Sequence, residues 1–71
     1  MDLYWEDDYA VARALLAAHP GVDPLEVDGA TLHRWIIALP GFADDQTETA
    51  QYLLENIQRE WYEEVASHDS V

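Results

Sequence analysis

The sequence predicts an all-α protein, a small domain of three helices with one extra short helical turn. Apolar residues recur at three-to-four spacing in three separate segments, which is the period of a helix with one buried face. No segment alternates apolar and polar residues as a half-buried strand would. The pairs Pro20-Gly21 and Pro40-Gly41 separate the periodic segments. With 71 residues and no cysteine, one small core must be held together by packing alone.

The first helix is predicted from Asp7 to Ala18, a segment that is rich in Ala and free of Gly and Pro. The acidic run Glu6-Asp7-Asp8 lies where the first helical turn carries a partial positive charge, and this favours a helix start. The run His19-Pro20-Gly21 ends the helix. The predicted buried stripe consists of Val11, Leu15 and Ala18, with Ala12 beside it.

A short helical turn and a second helix follow. Asp23-Pro24 has the pattern of an N-cap with proline in the first helical position, which opens a turn through Val27. The run Asp28-Gly29-Ala30 is interpreted as a break before the second helix, which Pro40-Gly41 ends. The apolar face of that helix is predicted to be Leu32, Trp35, Ile36 and Leu39.

A long third helix is predicted from about Gln46 to about Ala66. The run Asp45-Gln46-Thr47-Glu48 has the spacing of a capping box, with Asp in the Ser/Thr position. Residues 1–66 are expected to form a single domain and residues 67–71 a flexible tail. The buried stripe of this helix is predicted to be Ala50, Leu53, Leu54, Ile57, Trp61 and Val65.

The charge is the strongest functional signal, because 15 acidic residues face three Arg and no Lys, for a net charge of -12. Like charges repel in the compact state, so this excess indicates a partner: a basic protein, a hard cation, or a site that normally binds nucleic acid. Direct binding to nucleic acid or to an anionic membrane is excluded, since both require cationic side chains. No signal peptide is evident, and the longest apolar run, Trp35 to Pro40, is too short to span a bilayer. We expect a soluble cytoplasmic protein.

The acidic residues fall into groups that have two interpretations. At predicted helix starts, Asp and Glu are more often capping residues than metal ligands. Asp44, Asp45 and Glu48 lack the pattern of a high-affinity calcium loop, so any metal there should be weak and exchangeable. Glu60, Glu63 and Glu64 lie in the last predicted turns of the third helix, where the dipole prefers cations. They indicate either a functional acidic surface or, about equally, a solvated helical face.

Aromatic residues and histidines also allow two interpretations. Trp61 is predicted to be core, with a partly exposed anchor inside an acidic rim as the alternative. His19 and His33 are more simply packing or capping residues than catalytic ones, because no positioned nucleophile is evident. The sequence therefore predicts a protein that is not an enzyme.

Several short motifs in order carry a resemblance that spans Leu3 to Glu64 without gaps. On these motifs the chain resembles the IscX family of iron-sulfur cluster assembly proteins. The motifs are Leu3-Tyr4-Trp5-Glu6-Asp7, Ala14-Leu15 with Pro20, Asp23-Pro24 with Val27, Leu32-His33-Arg34-Trp35-Ile36 with Leu39, Phe42-Ala43-Asp44-Asp45, Leu53-Leu54-Glu55 with Ile57, and Trp61 with Glu63-Glu64.

The resemblance implies a modified winged-helix fold and a function as an adaptor. The protein it implies is a monomer and has no tightly bound cofactor. This monomer binds the basic surface of a cysteine desulfurase and binds ferrous iron weakly, in competition with the bacterial frataxin homologue. Partner contacts are expected from Asp7, Asp8, Asp44, Asp45, Glu60, Glu63 and Glu64, with Trp61 as the anchor.

The same resemblance implies weak iron ligation by Asp44, Asp45 and Glu48. Ala43 and Gln46 depart from the family loop, which usually reads Phe-Asp-Asp-Asp-Pro, and Gln51 replaces a further acidic residue. These departures affect the metal loop more than the fold or the desulfurase contact.

Two other functions stay open on the sequence alone. The first is an iron donor or sensor with a defined carboxylate site. The second is an acidic mimic of nucleic acid that inhibits a basic protein, which would need charges spaced like phosphates along one face. The Gly and Pro breaks between the acidic groups count against this mimic.

Overall fold

The part of the chain that the structure describes folds as three α-helices and one short 3-10 turn, which confirms the predicted all-α class. A computed structural model describes residues 2–48 and 50–69. In these residues the helices are α1 (Asp8–Ala18), α2 (Gly29–Ile37) and α3 (Gln51–Asp69), and the 3-10 turn is Pro24–Glu26. None of the helices in these two ranges is long and apolar enough to cross a membrane. The winged-helix relationship stays a prediction.

Helix α1 begins close to its predicted start. Asp7 occupies the N-cap position, and Asp8 accepts the Tyr9 backbone N–H at 2.8 Å. Val11, Ala12 and Leu15 are buried, as predicted. Ala18 is exposed, so its place in the buried stripe was wrong. The helix ends at this residue, and the chain turns away through Gly21, whose φ of 81° glycine adopts readily.

The 3-10 turn forms as the sequence predicts, with an unpredicted fastening to α3. The Asp23 carboxylate accepts the Leu25 backbone N–H at 3.0 Å, and Pro24 occupies the start of the turn. From α3, Gln58 Nε2 donates to the carbonyl oxygens of Pro24 at 2.7 Å and Val27 at 3.0 Å. One amide group thus satisfies two backbone acceptors and fixes the turn against the helix.

Helix α2 begins earlier than predicted. The run Asp28-Gly29-Ala30 is not a break: Asp28 is the N-cap, and its Oδ1 accepts the Thr31 backbone N–H at 2.8 Å. Hydrogen bonding by Thr31 lowers the pKa of Asp28. The N-cap preference of Asp therefore outweighs the low helix propensity of Gly29. On the apolar face Leu32 and Ile36 are buried and Trp35 is partly buried, as predicted. Leu39 is also buried, but α2 ends at Ile37, so its predicted place on the helix was wrong.

Helix α3 begins at Gln51, so the predicted start at Gln46 was wrong. The Asp45 carboxylate accepts from its near neighbour Thr47, through the backbone N–H at 2.9 Å and the hydroxyl at 2.6 Å. The residues that follow, 46–48, are not helical, so these bonds form a local turn rather than a helix cap. Glu48 then accepts the Ala50 backbone N–H at 3.1 Å, directly before the helix.

The other end of α3 lies beyond its predicted limit. The helix continues past Ala66 to Asp69, so Ser67 to Asp69 are helical rather than part of a tail. Ser70 and Val71 lie outside the described residues, and the flexible tail there stays a prediction.

The core lies mainly between α1 and α3, which form the most extensive helix contact. The N-terminal segment closes one end of it, since Leu3 pairs with the loop at Phe42 in an isolated parallel bridge. Phe42 packs edge-on against Trp5 with ring centroids 5.2 Å apart. The buried core residues are Leu3, Trp5, Val11, Ala12, Leu15, Leu32, Ile36, Leu39, Leu53, Leu54, Ile57 and Trp61.

Candidate functional site

The acidic residues predicted to bind a partner occupy two places in the structure. The first, here called the Trp5 end, comprises Asp7 and Asp8, which follow Trp5 closely in sequence, and Asp44 and Asp45, which are hydrogen bonded to it. The second, here called the α3 acidic flank, comprises Glu60, Glu63 and Glu64. The two places differ in how far their carboxylates take part in the fold.

Asp44 has a structural task that the sequence did not reveal. Its Oδ2 accepts the Trp5 backbone N–H at 2.9 Å, and its Oδ1 accepts the Asp45 backbone N–H at 2.7 Å. In return, the Trp5 indole Nε1 donates to the Asp45 carbonyl at 2.7 Å. These bonds join segments 39 and 40 residues apart in the chain, so no local pattern could have predicted them. Asp44 is therefore a structural residue as well as an acidic one.

The loop predicted to hold iron has its carboxylates engaged with its own chain. Hydrogen bonding by Thr47 lowers the pKa of Asp45, and Glu48 is bonded to the backbone ahead of α3. Across residues 2–48 and 50–69, no group of three or more His, Cys, Asp or Glu side chains is arranged to hold a metal ion. A metal site formed by Asp44, Asp45 and Glu48 stays a prediction from the resemblance, without geometric support.

Asp7 and Asp8 are placed as residues of a helix start. Asp7 is exposed at the N-cap of α1, and Asp8 is half-buried in the first turn. Glu6 and Asp8 border a small cavity of about 230 Å³ that Tyr52 and Asn56 of α3 also line. The Trp5 end is thus continuous with the beginning of α3.

The α3 acidic flank approaches α1 through Glu64. Glu60 and Glu64 are four residues apart and therefore lie on one side of the helix, with Glu63 beside them. Glu64 Oε1 lies 3.9 Å from Arg13 Nε of α1, where Glu64 is 20% exposed and Arg13 58% exposed. At this distance, a surface pair of one exposed and one partly buried side chain contributes less than about 1 kcal/mol. In the part of the chain that the structure describes, Glu60 and Glu63 form no side-chain hydrogen bond and no ion pair.

The helix dipole does not make the positions of Glu60, Glu63 and Glu64 unfavourable, contrary to the expectation from the sequence. Because α3 extends to Asp69, Glu64 lies five residues before its end. The dipole acts within the last turn, so it does not disfavour these carboxylates. What distinguishes the flank is the absence of a folding task for Glu60 and Glu63, not an unfavourable position on the helix.

The three arginines neutralise little of this charge, because each is bonded close to its own position. Arg13 donates to the Tyr9 hydroxyl at 3.2 Å, and this hydrogen bond raises the pKa of Arg13. Arg34 lies near the Thr31 hydroxyl and Arg59 near the Asn56 side-chain oxygen, at 3.4 and 3.3 Å.

Trp61 is a core residue, so the exposed-anchor alternative was wrong. Its side chain is 0% exposed and packs edge-on against Trp35, with ring centroids 6.3 Å apart. A side chain without exposed surface cannot contact a partner of the folded protein. The histidines pack as predicted: His19 stacks on Trp35 at 3.8 Å between centroids, and His33 stacks on Trp5 at 5.4 Å.

Exposed aromatic residues are the part of the surface that sequence reasoning missed. Tyr4, Tyr9, Tyr52 and Tyr62 are each between 43% and 63% exposed. Tyr52 and Tyr62 lie outside the predicted apolar stripe of α3, and this position in the sequence indicates that they are exposed. Exposed tyrosines are enriched in protein interfaces, where they combine apolar area with a polar group.

Comparison with known proteins gives two findings. The sequence model of a family described as iron-sulphur cluster assembly matches residues 3–66. A relative from Pseudomonas aeruginosa, named uncharacterized protein PA3808, is 41% identical over 64 residues, which cover 90% of this chain and 97% of the relative.

Proposed function

Because this chain belongs to the iron-sulphur cluster assembly family, we propose that it acts there as a non-enzymatic adaptor of the IscX type. In this proposal it is a cytoplasmic monomer that docks on the basic surface of a cysteine desulfurase and modulates the delivery of sulfur. The family match supports a role in cluster assembly, and the acidic surface supports a basic partner.

One observation carries the choice of partner: the α3 acidic flank has charge that the fold does not use. Glu60 and Glu63 have no bonded partner among the described residues, and Glu64 has only a distant one. With a net charge of -12, each unpaired carboxylate adds to the repulsion that opposes folding. Such residues gain a favourable interaction only when a basic surface approaches.

The expected contribution of this charge is to the rate of encounter. Charges separated by more than about 8 Å are screened at physiological ionic strength, so attraction acts over a short range and weakens with salt. Complementary charge raises association rates more than it raises lifetime. An acidic adaptor of this kind would compete with any other acidic protein for the same basic surface, including a frataxin homologue.

The predicted contact residues have unequal parts in this proposal. The α3 acidic flank makes the closest approach, and Asp7 and Asp8 add charge from the Trp5 end. Asp44 and Asp45 contribute through their charge, since their oxygens also hold the fold. Trp61 makes no contact with the partner, because it is buried.

The proposal is tested by titrating the desulfurase of the same organism with this protein at about 50 mM and about 300 mM NaCl. We expect binding that weakens steeply with salt. The double variant E60Q/E63Q should bind roughly fivefold more weakly or worse, mainly through a slower association. The control D2N/E55Q removes the same number of charges elsewhere and should change the affinity less than about twofold.

Absence of binding even at the lower salt concentration would overturn the adaptor proposal. Equal losses of affinity in the two double variants would show that only net charge matters. The α3 acidic flank would then not be a specific contact surface. A parallel NMR titration with Fe²⁺ decides the iron-donor alternative: broadening confined to Asp44, Asp45 and Glu48 would support a defined site, and uniform broadening of all carboxylates would count against one.

A further inference from the structure

An open apolar groove lies between the C-terminal parts of α1 and α3. It has a volume of about 610 Å³, which is within the range of sites that accommodate a ligand or several side chains. We call it the C-terminal groove. Its apolar lining comes from Leu16 of α1, Pro20, Val22 and Pro24 of the connecting segment, and Tyr62 and Val65 of α3.

The groove is formed in the free protein and held open by its own walls. Gln58 bonds the carbonyl of Pro24 at 2.7 Å, so the 3-10 turn is fixed to α3 beside the groove. Pro20 and Pro24 have restricted backbones without N–H groups, and Gly21 between them holds a positive φ of 81°. A preformed site loses little conformational entropy when a partner binds.

The surroundings of the groove combine apolar and acidic groups. Tyr62 is 44% exposed, and Leu25, next to Pro24, is 63% exposed. Asp23 lines the groove, Glu63 and Glu64 follow Tyr62 in α3, and the lining contains no basic residue. Arg59, three residues before Tyr62 in α3, bonds Asn56, and Arg13 of α1 lies 3.9 Å from Glu64.

We infer that the C-terminal groove is the apolar anchor site of the adaptor interface, and that its occupant is a basic segment of the partner protein. This inference rests on the proposed function. The segment inserts an aliphatic or aromatic side chain between α1 and α3, while its flanking Lys or Arg residues face Asp23 and Glu63. A second copy of this chain is disfavoured as the occupant, because each copy carries a net charge of -12.

Because Trp61 is buried, another part of the surface must anchor the proposed interface, and the C-terminal groove can do so. Long-range charge sets how fast a complex forms, but lifetime depends on a few apolar or aromatic side chains excluded from water. Tyr62, the exposed neighbour of Trp61, is the aromatic residue of α3 that lines the groove. The acidic flank and the groove therefore have separable effects, the first on association and the second on dissociation.

The test fills the groove without changing charge. Ala66 is exposed and lines the groove, so Ala66→Trp should obstruct it while α3 stays folded. The matched control Ala17→Trp places the same side chain on an exposed position of α1 that is not in the lining. Against the desulfurase, A66W should dissociate roughly tenfold faster, with association changed less than about twofold, and A17W should behave as the wild type.

A second variant tests whether faster dissociation of A66W results from misfolding rather than from obstruction of the groove. Tyr62→Ser removes one exposed wall of the groove, and its dissociation should accelerate in the same direction as that of A66W, with unchanged circular dichroism for both. If the wild type binds and neither variant dissociates faster, the groove is not the anchor and the adaptor proposal stands without it. If the wild type does not bind at low salt, the adaptor proposal fails, and this inference with it. A dimer in sedimentation analysis that A66W abolishes would assign the groove to a second copy and overturn the inference.

Discussion

The Trp5 end and the α3 acidic flank are both rich in carboxylates, but their oxygens have different tasks. At the Trp5 end, Asp44 accepts two backbone N–H groups and Asp45 accepts both hydrogen-bonding groups of Thr47. On the flank, Glu60 and Glu63 accept none from the described residues, and Glu64 has an exposed arginine at 3.9 Å. In the first region the carboxylates of Asp44 and Asp45 stabilise the fold, whereas in the second the carboxylates are available to bind a partner.

The comparison shows that acidic residues in a highly charged domain cannot be counted as one functional surface. A carboxylate that satisfies a buried backbone donor is needed even without a partner, because an unmade bond there costs the desolvation of that donor. A carboxylate without such a bond contributes mainly repulsion to the free protein. Stability and binding should therefore respond to different substitutions.

The largest effect on stability is expected at Asp44. Asp44→Ala leaves the Trp5 and Asp45 backbone N–H groups without their acceptor and should lower the free energy of unfolding by about 1–3 kcal/mol, measured by urea denaturation. Glu63→Ala is the comparison from the flank and should change it by less than about 0.5 kcal/mol. Similar losses in the two variants would abolish the distinction between the regions.

A smaller effect is expected from salt on the free protein. NaCl screens the repulsion among unpaired carboxylates, so the melting temperature should rise by a few degrees, which for this length corresponds to less than about 1 kcal/mol. The same salt should weaken the proposed desulfurase complex, so stability and affinity should move in opposite directions. A melting temperature that falls with salt would show that attractive pairs, not repulsion, dominate the surface.

The smallest effect is expected in acid, through Asp45. Hydrogen bonding by Thr47 lowers its pKa in the folded state, so its contribution to stability is complete above the unfolded pKa and is lost as pH falls through the folded pKa. The difference in unfolding free energy between wild type and Asp45→Asn should therefore be constant near neutral pH and shrink below about pH 4. A difference that grows in acid would contradict this sign.

Local sequence rules predicted the helices well and their ends less well. The periodic apolar residues of α1, α2 and α3 were identified because burial of one helical face is a local pattern. The starts of α2 and α3 were predicted at the wrong residues because an Asp carboxylate such as that of Asp28 or Asp45 can either cap a helix or form a local turn. Asp28 caps a helix in spite of the glycine that follows it, whereas Asp45 forms a turn with Thr47 instead.

The parts of the candidate site that the sequence did not predict depend on contacts between distant segments of the chain. The bonds from Trp5 to Asp44 and from Gln58 to Pro24 join distant segments, and each depends on the finished fold. The acidic groups themselves were evident from composition, but their division into structural and available carboxylates was not. The burial of Trp61 was favoured by its place in the α3 stripe, whereas the groove beside Tyr62 required the structure.

The packing of α1 against α3 also has a consequence for the order in which the chain can fold. These helices are the first and last in sequence, and the segment 19–50 separates them. The apolar face of α1, with Val11 and Leu15, gains its main cover only when α3 arrives, so a long loop must close before most of the core is buried. During synthesis α1 gains this cover only after α3 has emerged, so we expect these helices to fold together rather than one after the other.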